Sequence, residues 1–172
     1  MTLLPDTCTF IWLCSDPEKL SGPAAKTLDD LANDRVLSLA SVWEISLKYQ
    51  SGKLPLPEPP SAWVEEQLRA QCIDVLPLQR HNLYQAAALS PIHKDPFDRV
   101  IAAEALQRKL RLISPDSPFR EYGCRVVWWP MLMREACRSV GNLYKSRIRI
   151  ALTCAQDARY FDHNCAHRPK TT

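Results

Sequence analysis

Four acidic residues carry the chemistry this chain offers: Asp6, Glu44, Asp98 and Asp116. Three of them read singly as helix caps as readily as catalytic groups. Asp6 follows the short apolar opening Thr2-Leu-Leu-Pro5, and Asp is favoured at an N-cap. Asp95 precedes Pro96, a residue suited to the first helical position, and Asp98 lies where an acid completes a capping box. Asp116 follows Leu110-Arg-Leu-Ile113 and would cap a short turn at Pro118. Glu44 is different, because the pattern places it inside a helix capped by Ser41 and running to about Gln50. Ala40, Trp43 and Leu47 put it on that helix's apolar stripe. A buried, unpaired carboxylate is costly, so it requires a cation, a proton or a metal ion. The structural alternative is a buried salt bridge, for example to Arg99.

Asp98 shares a helix face with Ile101, Ala102 and Ala105. Asp6 and Asp116 would stand at the carboxyl ends of strands, where open α/β sheets form their sites. A right-handed doubly wound topology can bring all four acids to one cleft. There they would repel one another and raise each other's pKa values unless a cation offsets them. Oxygen ligands select Mg²⁺ or Mn²⁺ over zinc, and such a site suits hydrolysis of a phosphodiester.

The elements that must position these acids alternate between strand and helix. Strands are expected at Thr2–Pro5, Arg35–Leu39, Ile73–Leu76, Leu110–Ile113 and Arg125–Trp128. Helical segments lie between them, and Leu54–Pro60 is a Pro-rich connector, with rigid spacing as its simplest use. This pattern implies a mostly parallel sheet covered on both faces. The expected division is one domain over 1–129 and an extension over 130–172. The first part holds 14 Lys/Arg against 16 Asp/Glu, the second 8 against 3, so only the extension is basic. The seven cysteines form no CxxC pair. Cys8, Cys14, Cys72 and Cys124 sit among apolar neighbours, a usage that favours a reducing compartment. No secretory pattern and no apolar run long enough for a membrane span is visible, so a cytoplasmic protein without membrane attachment is expected.

Several blocks resemble VapC-type PIN-domain toxins, the ribonuclease half of type II toxin–antitoxin pairs. They are Asp6-Thr-Cys-Thr-Phe10, Ser41-Val-Trp-Glu-Ile-Ser-Leu-Lys48, Gly52-Lys-Leu-Pro-Leu56, His93-Lys-Asp-Pro-Phe-Asp-Arg99 with Ile101-Ala-Ala103, and Ser114-Pro-Asp-Ser-Pro-Phe119. Order and spacing both match, over about residues 2–128. The resemblance implies a three-layer α/β/α PIN-like sandwich around a mostly parallel central sheet, here with a C-terminal extension. It implies a Mg²⁺-dependent endoribonuclease acting on tRNA or rRNA, a cognate antitoxin whose C-terminal segment occupies the cleft, and a homodimer. Asp6, Glu44, Asp98 and Asp116 fall on the family's acidic quartet, with Asp6 and Asp98 at the positions of direct metal ligands. Ser114 falls where a hydroxyl residue supports the last acid, and Asp95 and Arg99 surround the same block.

Two features depart from the family. Pro5 stands where an apolar residue with a free N–H is usual, and proline in a central strand removes a ladder hydrogen bond. The chain also continues beyond Trp128, near which family members end. That extension reads as a loosely ordered tail or, through Lys145-Ser-Arg-Ile-Arg149, as an arm contacting RNA phosphates. Cys154, His163, Cys165 and His167 match no common zinc spacing. His81 and His93 read more simply as surface residues than as acid–base groups, and Trp12, Trp43 and Trp63 as filling the core or a dimer face rather than stacking on bases. A phosphatase using Asp6 as nucleophile would want a second Asp where Cys8 stands. The remaining rival is a catalytically impaired PIN module that still binds antitoxin or RNA.

Overall fold

Adjacent residues of a strand face opposite sides of a sheet, and here both sides are apolar. Leu3 and Leu4 of the first strand are fully buried, each in a different core cluster. Leu112 and Ile113 of a neighbouring strand divide between the same two clusters. A sheet with two dry faces needs helices on both. The computed structural model, which describes residues 1–128, has that three-layer form.

Among the described residues the strands are β1 (Thr2–Pro5), β2 (Asp34–Ser38), β3 (Asp74–Leu76), β4 (Arg111–Ile113) and β5 (Arg125–Val126). They form one sheet in the order β3-β2-β1-β4-β5, and every pairing is parallel. The helices are α1 (Thr7–Ser15), α2 (Gly22–Asp29), α3 (Leu39–Gln50), α4 (Pro60–Ala70), α5 (Arg80–Ala88), α6 (Pro96–Arg108) and α7 (Pro118–Glu121). Phe10, Leu28, Ile45 and Trp63 fill the core on one face, and Ile101, Ala105 and Phe119 fill it on the other. Phe10 and Trp63 meet edge to face at 6.0 Å. The chain leaves β1 towards β2 and β3, then returns to β4 on the other side. The sheet's switch point therefore lies between β1 and β4, the usual place for a site in this architecture.

Side-chain caps fix most helix starts. Asp6 accepts from the Thr9 N–H, Ser21 from Ala24, Ser38 from Ala40 and Asp95 from Phe97. Two expectations are corrected here. The third helix is capped by Ser38 and begins at Leu39, so Ser41 is an interior residue of it. Strand β2 runs into α3 without an intervening turn residue, which left the boundary unmarked in the sequence. The short α7 begins at Pro118 with Ser117 at its N-cap position, so Asp116 does not cap it.

Pro5 does not break the sheet. The Asp6 N–H donates to the Ile113 carbonyl at 3.1 Å, continuing the ladder to β4 past the proline. On the other side, β1 pairs with β2 through Thr2 and Leu3, before Pro5 is reached. The proline occupies the last position of its strand, where the absent N–H is least needed.

Among the described residues, Cys8, Cys14, Cys72 and Cys124 are free thiols. Cys8 is exposed rather than packed as a small hydrophobe, while Cys124 is buried. No described helix is long and apolar enough to cross a membrane. The expectations for the basic segment 145–149, for Cys154, His163, Cys165 and His167, and for the whole extension 130–172 lie outside the described residues.

Candidate active site

Asp6 leaves β1 at the switch point and is almost fully buried, at 2% exposure. One carboxylate oxygen caps α1 through the Thr9 N–H at 2.6 Å, so the cap and site readings of this residue are compatible. Burial pushes its carboxyl up to about 6, against the opposing pull of hydrogen bonds from Ser114 and Thr9, and the Asp116 charge adds to the rise. Ser114, at the end of β4 and fully buried, also accepts the Asp116 N–H at 3.1 Å. One hydroxyl thus links the two acids on either side of the switch point.

Asp98 sits in the first turn of α6, whose start is set by the Asp95 cap and by Pro96. Burial raises its carboxyl to about 8, followed by the charges of Asp95, Asp6, Glu44 and Asp116. That set of influences brings all four sequence-predicted acids, and Asp95, within electrostatic reach of one point. The closest donor group contains His93 rather than Asp6. His93 Nε2 lies 3.3 Å from Asp98 Oδ2 and 3.7 Å from Asp116 Oδ2. One donor atom from each of these three residues lies within 4.8 Å of the other two.

Glu44 is buried, at 4% exposure, as its place in the helix required. Its immediate partners differ from those considered from the sequence. Thr7 Oγ1 donates to Glu44 Oε2 at 2.5 Å, and Lys48, one turn on, forms an ion pair with Oε1. Burial works to lower the Lys48 ammonium, and the adjacent Glu44 carboxylate more than offsets it, leaving that pKa above its ordinary value. The pairing with Arg99 is not formed. Arg99 Nη2 donates instead to the carbonyls of Ala87 and Leu89, at 3.0 and 2.9 Å, and clasps the end of α5 to the start of α6. The buried face of α3 also differs from the expected stripe. Ala40, Ser41, Glu44 and Ile45 form it, while Trp43 and Leu47 are exposed.

Sequence reasoning preferred a surface position for His93 over an acid–base role, but its side chain is only 16% exposed. A single histidine in a loop between Pro91 and Pro96 has no periodicity to place it, and its proximity in sequence to Asp95 and Asp98 was the available signal. His81 is exposed, in agreement with a surface role. Beside the acids an open cleft of about 480 Å³ is lined by Glu44, Leu47, Lys48, Lys53, Asp95 and Phe97. Trp43 stands edge-on to Phe97 at 5.1 Å. Trp63 is a core residue, and Trp12 packs on Trp128 at 6.0 Å.

Clustered carboxylates held partly out of water, with two pKa values pushed up, are a donor set that lacks positive charge. Their oxygens fit a hard divalent cation, which would favour the ionised forms. Against this arrangement of strands and acids, the PIN domain family model matches residues 3–123. The chain belongs to the PIN domain family. The VapC-type resemblance of its motifs is matched by relatives. This PIN domain is 37% identical over 65 residues to Ribonuclease VapC16 of Mycobacterium tuberculosis, across 37% of the chain and 46% of that protein, just under half its length. Ribonuclease VapC22 of the same organism is 25% identical over 122 residues, across 70% of the chain and 92% of that protein. The fold is shared with VapBC2 from Rickettsia felis, solved bound to a DNA fragment from its promoter. There the TM-score is 0.56 at 14% identity, covering 73% of the chain and 97% of that structure. The parallel five-stranded sheet and its flanking helices are therefore those of a PIN domain.

Proposed function

We propose that this PIN domain is a divalent-metal-dependent endoribonuclease and the toxin component of a toxin–antitoxin pair. The observation that supports it most is that Asp98 and Asp116 offer oxygens within 4.8 Å of one another, with Asp6 near enough for its charge to raise the Asp98 carboxyl, which burial and the neighbouring acids bring to about 8. Relatives named as VapC ribonucleases point the same way.

Asp6, Asp98 and Asp116 are the residues that would hold Mg²⁺ or Mn²⁺. Bound there, the cation would lower the pKa of a water and stabilise charge on phosphate oxygens. The chain's own groups do the rest. Ser114 orients Asp6 and the Asp116 backbone together. The Asp95 cap and the Arg99 clasp fix the start of α6 and so the direction of Asp98. Glu44, held by Thr7 and Lys48, keeps a further negative charge beside the cluster, which favours a cation there. Lys48 and Lys53 on the cleft wall offer positive charge to a polyanion that the acids alone would repel.

The substrate is RNA of the tRNA or rRNA class, and the partner is a VapB-type antitoxin that covers the cleft. A homodimer and a cytoplasmic location complete the reading. The continuous ladder past Pro5 favours a working site over an impaired one.

Incubating the full chain with tRNA and rRNA in Mg²⁺ tests the proposal. Expected is cleavage abolished by chelation and reduced at least about 100-fold by Asp6→Asn or Asp98→Asn. Cleavage that persists in chelator, or in both variants, would overturn it.

A further inference from the structure

His93 is held through both its backbone and its ring. Its backbone N–H donates to the Tyr122 hydroxyl at 2.9 Å, and that hydroxyl donates to the Ser90 carbonyl at 2.8 Å. Its ring lies against Phe119, with centroids 5.7 Å apart and planes tilted by 31°. The Asp95 N–H donates to His93 Nδ1 at 3.2 Å. A neutral imidazole has one N–H and one bare nitrogen, so a bare Nδ1 leaves the proton on Nε2. Nε2 is the atom that faces Asp98 at 3.3 Å and Asp116 at 3.7 Å. Both are close electrostatic contacts of the imidazole with carboxylate oxygens.

A metal-ligating Nε2 would need the proton on Nδ1. That proton would then oppose the Asp95 N–H, donor against donor. The hydrogen-bond network therefore separates His93 from the ligands and gives it another task. We propose that His93 is a positioning residue, whose Nε2–H holds the Asp98 carboxylate towards Asp116 and so sets the oxygens that receive the cation. This inference rests on the metal-site reading above, and it adds a residue outside the acidic quartet.

Two measurements test it, and neither reads RNA cleavage. The first is heteronuclear NMR of the imidazole nitrogens in the metal-free full chain at about pH 8. Expected is a His93 proton on Nε2 and none on Nδ1; the reverse would overturn the proposal without need of any variant. The second is the calorimetric affinity for Mg²⁺ of His93→Phe, which keeps a ring beside Phe119, and of His93→Gln, which restores an N–H donor. His93→Phe is expected to weaken binding about 10- to 100-fold, as loss of a ligand's hydrogen-bond partner does, with His93→Gln within about threefold of the parent. Equal affinity for His93→Phe and the parent, or His93→Gln as weak as His93→Phe, would overturn it. If RNA is not cleaved while these results hold, the nuclease reading fails and the role of His93 stands. If RNA is cleaved but the proton is on Nδ1, the reverse is true.

Discussion

Thr7 and Glu44, 37 positions apart in the chain, are joined by a buried hydrogen bond of 2.5 Å between Thr7 Oγ1 and Glu44 Oε2. The bond ties the first turn of α1 to the interior of α3, one residue past Asp6. A buried carboxylate is tolerated only with hydrogen bonds and opposite charge, and Thr7 and Lys48 provide them. Glu44 is thereby a fixed source of negative potential at the site, with both oxygens already engaged.

Removing the Thr7 hydroxyl leaves one of those oxygens without its donor. Thr7→Val is expected to cost about 1–3 kcal/mol. A fall of several degrees in Tm, measured by calorimetry, checks it. Mg²⁺ affinity should drop less than in Asp98→Asn, because Asp98 keeps its own supports.

Asp98 makes metal-free stability depend on pH. Its carboxyl is raised to about 8 in the fold, against about 3.9 in an unfolded chain. Between these values the folded chain holds a proton that the unfolded chain has released. This contribution is full below about pH 3.9 and is lost as pH rises through about 8. Asp6, raised to about 6, adds a smaller effect of the same sign that ends sooner. Metal-free Tm should therefore fall across this window, and Asp98→Asn should flatten the fall. At about pH 8.5, Asp98→Asn is expected to unfold at a higher temperature than the parent.

Arg99 acts through the backbone rather than through the acids. Its guanidinium reaches two carbonyls at the end of α5 from the first turn of α6. Lysine has no such rigid fork. Arg99→Lys is expected to lower stability by about 1–2 kcal/mol, read by urea unfolding. Mg²⁺ affinity should stay within a few-fold of the parent, since Asp95 still caps α6.

Much of this molecule is legible in its sequence because the signals are local. Pro96 after Asp95 marks a helix start wherever it occurs, and the apolar pairs Leu3–Leu4 and Leu112–Ile113 announce strands buried on both faces. Glu44 was placed correctly in the interior, yet the stripe was rotated, because Trp43 and Leu47 are apolar in type and exposed in fact. Ser38 and Ser41 are both competent caps, and only the length of β2 chooses between them. His93 was read as a surface residue for a different reason. Its surroundings include Asp116 and Tyr122, which are distant in sequence, and a backbone N–H that no side-chain pattern reveals.

The central physical point is that burial and the neighbouring acids raise the Asp98 carboxyl to about 8, so that a divalent cation binding there near neutrality favours its ionised form. Isothermal titration of Mg²⁺ into the full chain at about pH 7, repeated in buffers of different ionisation enthalpy, counts protons released on binding. Expected is close to one proton released per chain, falling towards zero at about pH 9 and absent in Asp98→Asn. Binding without proton release at pH 7, or no Mg²⁺ binding at either pH, would contradict the metal site.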